Sequence, residues 1–175
     1  PDPTTAGDFC RRFSSQQVEA LQDAINEVRL KVWKQQEPEF FKEAIIDADG
    51  TIAETTGECK GGMDLSYKGI WGYHPLLVSL SNTGEPLYLS NRSGNSTSSK
   101  NASHYLDKAA KLCRAAGFKK IRFRGDTDFS QTKFLDGWDD DGITFVFGIN
   151  AMPNLVEIAE NLPETAYTDL LRQPR

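Results

Sequence analysis

Residues 74–91, HPLLVSLSNTGEPLYLSN, set two apolar runs on either side of Asn82-Thr83-Gly84. A glycine closing a three-residue loop supplies the left-handed residue such a hairpin wants, so the two runs are expected to pair antiparallel. A wholly parallel sheet is thereby excluded. Upstream, Phe40 to Asp49 reads as a buried strand. Downstream, Ala102, Tyr105, Leu106, Ala109, Leu112, Cys113 and Ala116 recur at helical spacing behind Ser99 as N-cap and stop at Gly117. Lys119 to Gly125 alternates as a strand, Thr132 to Trp138 forms a short helix, ITFVFG a last strand, and Pro153 to Asn161 a closing helix.

The order is then three strands followed by helix, strand, helix, strand, helix. An antiparallel meander continued by right-handed crossovers gives a mixed α/β sheet of five strands, three antiparallel and then two parallel, flanked by helices. That is the element order of the RNase H-like fold, in which the fourth strand lies parallel to the first at about 4.8 Å. Asp49 and Asp126 are expected at the carboxyl ends of those two strands.

The chain has 175 residues, of which 38% are hydrophobic, enough for one domain and an N-terminal arm. Residues 1–38 are assigned to the arm and residues 39–175 to the core. Residues 1–13 read as an irregular lead-in. From Ser14 a capping box with Gln17 opens a helix running to about Gln36, and its stripe of Val18, Leu21, Ile25, Val28 and Val32 is expected to pack on the domain. Dimerisation or contact with DNA is the other use of such a helix. The stretch GECKGGMDLSYKGIWGYH holds five glycines without a period and reads as a long loop.

No apolar run reaches the roughly 20 residues of a membrane span. Cys10, Cys59 and Cys113 are odd in number and far apart, which suggests neither a disulfide framework nor zinc and fits a reducing cytoplasm. A net charge of −5 argues against a protein that coats nucleic acid, though not against an enzyme acting on it. The chain starts at Pro1 without methionine, so an excised fragment is expected.

Two chemistries compete for the segment IIDADGT. It resembles the first motif of haloacid-dehalogenase-type phosphatases, which implies Asp47 as nucleophile and Asp49 as general acid, with Ser90 in a second motif. Those enzymes need parallel strands where the hairpin lies, and another acid where Ser130 or Gln131 stands. The second resemblance is broader. FCRRFSSQQVEALQDAINEV, DADGT, GYHPLLVSLSNTGEPLYLSNRSGN, RFRGDTDFS and DGITFVFGINAMPNL, in that order, are similar to the DDE transposases of bacterial insertion sequences from about residue 5 to 165.

That resemblance implies Asp49 and Asp126 as catalytic metal ligands and Mg2+ or Mn2+ as cofactor; Asp47, which shares strand parity with Asp49, is weighed as an additional or outer metal ligand against a hydrogen-bonded structural aspartate. Two such ions activate a water or 3′-hydroxyl and stabilise the leaving oxygen at a phosphodiester. It also implies DNA partners (terminal inverted repeats and target), a homodimer in the active complex, and a bacterial cytoplasm with the nucleoid as workplace. The family's third acid is a glutamate on a later helix. Here only Glu157, Glu160 and Glu164 follow the last strand, and they read as solvated charges; the core is expected to stop short of the third acid. A third reading is a transposase-derived domain that binds without catalysis.

Among other residues, Thr51 is weighed as a hydrogen-bond partner of Asp49 and Asp128 as a helix-start residue. His74 reads as structural and His104 as exposed. Lys119, Lys120, Arg122 and Arg124 suit either ion pairs or a DNA backbone. Lys60, Lys68, Trp71 and Tyr73 mix cations with aromatics, with Trp71 in the core as the simplest placement.

Overall fold

The computed structural model describes residues 2–57 and 60–169. Its main sheet contains β1 (Ala44–Gly50), β5 (Leu76–Leu80), β6 (Glu85–Ser90), β7 (Ile121–Gly125) and β8 (Ile143–Phe147), in the order β6-β5-β1-β7-β8. β1 pairs antiparallel with β5 and parallel with β7, and β8 is parallel to β7. This is the RNase H-like arrangement expected from the element order. One face of β1, with Ala44, Ile46 and Ala48, is buried beside Val78, Leu80, Ile121 and Phe123. Across it lies α3 (Ala102–Ala116), which buries Leu106, Ala109, Ala110 and Cys113. Trp138 of α4 (Thr132–Asp140) packs edge-on to Phe123, and its indole N–H donates to Asp107 of α3 at 2.8 Å.

The hairpin closes as a four-residue loop rather than three, because Leu80 pairs with Glu85. Gly84 takes φ +70°, and its N–H donates to Leu80 O at 2.8 Å. Asn82 is drawn off to the first strand: its Oδ1 accepts from Ile45 N at 2.9 Å and its Nδ2 donates to Glu43 O at 3.0 Å. The side-chain amide thus extends the ladder where the backbone turns away. A bulge opposite Val78 and Ser79 lets both Leu87 and Tyr88 be buried, although a regular strand would send them to opposite faces.

Several boundaries differ from the sequence reading. Phe40 and Phe41 lie in a 3-10 turn (Pro38–Phe41), and β1 begins only at Ala44. Both rings pack against Phe118, and Phe40 also meets Trp33, so aromatic packing overrides their strand preference. Residues 3–10 form α1, a helix whose first turn is capped by Asp2. Ser99 is not the N-cap of α3; that position is Asn101, at φ +60°, while Ser99 O accepts from Ala102 N. The glycine-rich stretch folds into a second sheet of β2 (Ala53–Glu54), β3 (Asp64–Leu65) and β4 (Trp71–Tyr73), with β4 central. Strands of two or three residues are too short to show a period. Trp71 is 54% exposed, so it is not a core residue.

The arm inverts the expected packing. α2 (Ser15–Trp33) has the expected capping box, yet Val18, Leu21, Ile25, Val28 and Val32 are all 44–59% exposed. Its polar side docks instead, along the free edge of β6. Gln22 Oε1 accepts from Leu89 N at 2.6 Å, Asn26 Nδ2 donates to Leu87 O at 3.1 Å, and Arg29 donates to Pro86 O and Glu85 at 2.8 Å. An edge strand presents unpaired N–H and C=O groups, so a helix covering it must offer polar side chains. Trp33 and Leu30 complete the contact with the core. Lys108 of α3 binds Glu19 at 2.7 Å and Asp23 at 2.9 Å from the other side.

Candidate active site at the tips of β1 and β7

β1 ends in Asp47-Ala48-Asp49-Gly50, and β7 ends in Arg124-Gly125 with Asp126 next. In the parallel ladder Asp47 is the partner of Arg124. The paired ladder ends there, and Asp49 and Asp126 each lie two residues beyond it, at the ends of the two neighbouring strands. Asp49 and Asp126 are both exposed. Alternation puts Asp47 and Asp49 on the sheet face opposite Ile46 and Ala48.

Asp47 is held by Arg124 in this structure. Arg124 Nε and Nη2 donate to its two oxygens at 2.7 Å each, and Nη2 also reaches Ser81 Oγ at 2.6 Å. The fork fits the carboxylate plane, and this hydrogen bonding holds the Arg124 guanidinium pKa above its ordinary value. Arg122 pairs likewise with Glu43 at 2.9 Å. These two arginines of β7 are therefore balanced by acids next to them.

Asp126 caps the turn Thr127–Phe129: its Oδ1 accepts from Asp128 N at 2.9 Å. Fixing one carboxylate oxygen in this way orients the other. Gly125 is required beneath it, since a Cβ there would lie 2.9 Å from the Phe129 side chain. Asp126 and Asp128 line two adjoining hollows of about 530 and 350 Å³, together with Tyr67, His74 and Ser98. Gly50 and Thr51 line the smaller one. Thr51 is tied by its backbone, N–H to Pro75 O at 3.2 Å, rather than through its hydroxyl.

Behind this crevice lies a buried latch with no local signal in the sequence. Arg92, 7% exposed, donates from Nε to His74 O at 2.8 Å and from Nη1 to Ser98 O and Lys100 O at 2.7 and 2.8 Å. His74 Nδ1 lies 2.7 Å from Ser96 O. Burial lowers the Arg92 pKa; Nε and Nη1 have carbonyl partners, while the buried Nη2 has none. A Cβ on Gly50 would approach His74 Nε2 to 2.8 Å and Arg92 Nη2 to 3.3 Å, so glycine after Asp49 is a packing requirement. His74 is structural, as its position beside Pro75 suggests. His104 is 57% exposed, with Nε2 3.1 Å from Glu19.

Glu157, Glu160 and Glu164 do not join these carboxylates. Every described residue from Ile149 to Asp169 is exposed, including the whole of α5 (Pro153–Glu160). Among the described residues no group of three or more His, Cys, Asp or Glu side chains is placed to hold a metal ion. The phosphatase reading fails on strand direction, because β5 runs antiparallel to β1 where that family needs a parallel crossover. No helix among the described residues is long and apolar enough to cross a membrane.

No curated protein matches the chain. Among solved structures, a piggyBac transposase synaptic complex with hairpin DNA, seen by cryo-EM, is similar at 13% identity and a TM-score of 0.48. The alignment covers 70% of this chain and 27% of that one, so the chain spans about a quarter of that transposase's length. The family described as transposase DDE domain, group 1, matches from residue 3 to residue 173. With nearly its whole length matched, the chain belongs to the group 1 family of transposase DDE domains.

Proposed function

We propose that this chain forms the RNase H-like catalytic core with which a transposase cuts DNA at the ends of a mobile element and joins the freed 3′-end to a target. Asp49 and Asp126 are its metal ligands. The supporting observation is that two exposed carboxylates, Asp49 and Asp126, follow closely on the last paired residues, Asp47 and Arg124, of two adjacent parallel strands. Opposed carboxylates repel unless a cation lies between them, and hard oxygen donors suit Mg2+ or Mn2+. Such ions, when bound, supply Lewis-acid stabilisation of the attacking and leaving oxygens of a phosphodiester.

The chain's own residues prepare that site. Asp126 offers one oriented oxygen because its other is held by the Asp128 amide. Arg124 neutralises Asp47, which lowers the surplus negative charge beside the two ligands. Gly50, packed on the His74–Arg92 latch, fixes the backbone that follows Asp49. The partners in this reading are the element's terminal repeats and a target duplex, handled in a bacterial cytoplasm by a homodimer. The pair gives two of the three acids of the family pattern, with the third supplied from outside the described residues.

Titration with Mn2+, followed by the loss of its free paramagnetic signal, tests the reading. Asp49→Asn and Asp126→Asn are each expected to weaken binding at least about tenfold, since each removes one of two anionic ligands. Their melting temperatures without metal should stay equal to or above that of the parent. Binding unaffected by both substitutions would overturn the assignment and favour a domain that binds DNA without catalysis.

A further inference from the structure

The hairpin of the small sheet sends its tip to the crevice that holds Asp126. Between β3 and β4, Ser66 to Gly69 close a tight turn: Gly69 N–H donates to Ser66 O and Ser66 N–H to Ile70 O, both at 2.9 Å. Ser66 Oγ also accepts from Ile70 N at 3.1 Å. Ser66 is buried and Gly69 takes φ +72°, so the turn is anchored at its base. Its two central residues are Tyr67 and Lys68. Such positions favour Pro, Asp, Asn, Ser or Gly, and an aromatic ring there needs another reason. Tyr67 is 78% exposed, so its ring adds nothing to the core, and Lys68 Nζ lies 5.5 Å from the ring centroid. That ring nevertheless borders both hollows that contain Asp126 and Asp128, while Lys68 borders the smaller. Thr97 and Ser99 add hydroxyl groups to the wall of the larger one.

From this arrangement we infer that Tyr67 holds the substrate, its ring stacking on the base of one unpaired nucleotide of a DNA end whose phosphate lies at Asp126. Every base has a face that an aromatic ring can cover, so the contact is indifferent to sequence. Lys68 supplies positive charge for a neighbouring phosphate in a crevice that is acidic at Asp126 and Asp128. At about 530 Å³ the larger hollow has the size of a small-molecule site, room for one nucleotide and not for a duplex. A cut end offers such a nucleotide at the least unpairing cost. The inference rests on the placing of the reacting phosphate at Asp126.

The test uses two labelled DNA probes in Ca2+: a blunt duplex, and the same duplex with one unpaired 3′-nucleotide bearing a fluorescent adenine analogue whose emission falls on stacking. The parent chain is expected to bind the second probe more tightly and to quench it. Tyr67→Ala should weaken that binding at least about fivefold and abolish the quenching. Its melting temperature and Mn2+ uptake should equal those of the parent, and Tyr67→Phe should bind and quench as the parent does. Lys68→Ala should lower the slope of log affinity against log salt by about one. A parent chain that does not prefer the unpaired end would overturn the inference, as would Tyr67→Ala binding unchanged or Tyr67→Phe failing with it. Mn2+ uptake that ignores Asp49→Asn and Asp126→Asn, alongside binding that depends on Tyr67, would remove the metal assignment and keep the stacking contact.

Discussion

Asp47 and Arg124 share a fork-shaped ion pair between neighbouring strands, which engages Asp47 and not Asp49 of the DADG motif. Both side chains are partly exposed, so the pair is worth about 1 kcal/mol or less. Asp47→Asn should therefore lower stability by no more than that amount in a urea titration and leave Mn2+ affinity within about twofold of the parent. A loss as large as that caused by Asp126→Asn would show that Asp47 serves as a ligand after all. The motif itself could not separate the two residues, since i and i+2 on a strand share one face. Their difference comes from Arg124, 77 residues away in the chain.

At the scale of elements, the second sheet depends on close backbone approach. A Cβ at Gly94 would lie 2.2 Å from Asp64 O and 2.5 Å from Gly72 O, atoms fixed by the β3–β4 pairing. Gly94→Ala is expected to destabilise by about 1–3 kcal/mol and to raise amide exchange in β3 and β4. A variant as stable as the parent would mean that this sheet pairs loosely. The docking of α2 is sensitive to pH through Glu19 and Lys108. Hydrogen bonds from Lys108, then His104, hold the Glu19 pKa below its ordinary 4.5. A depressed carboxylate stabilises above its unfolded value and loses that contribution as pH falls through the folded one. For Lys108 burial works downward, but the bonds to Glu19 and Asp23 prevail and raise it, so its contribution persists to pH 10.5 and is lost above. Between pH 6 and 3.5 the parent should thus lose on the order of 0.5 kcal/mol more stability than Glu19→Gln, as measured by thermal melts.

For the whole molecule, the core lies between one face of the five-stranded sheet and α3 with α4, and the C-terminal part adds nothing to it. No described residue after Gly148 is buried, so ending the chain at Asn150 should shift the melting temperature by less than about 2 °C. A larger fall would show that α5 packs on the domain in solution. Most of the architecture was legible in the chain because alternation, helical spacing and the Gly84 turn act over a few residues. Connection rules gave a mixed sheet, the place of the fourth strand beside the first came from the likeness of the element order to the RNase H-like fold, and Asp49 and Asp126 were found at strand ends by the same local patterns. What the residues could not announce was set by surfaces that exist only after folding. Two- and three-residue strands show no period, so the small sheet was hidden in its glycines. The apolar stripe of α2 pointed to the wrong face because the free edge of β6, with its unpaired N–H and C=O groups, exists only once the sheet has formed. Local spacing thus determined which elements form; long-range hydrogen bonding decided which of their faces meet, because a buried polar group needs a partner whatever its distance in sequence.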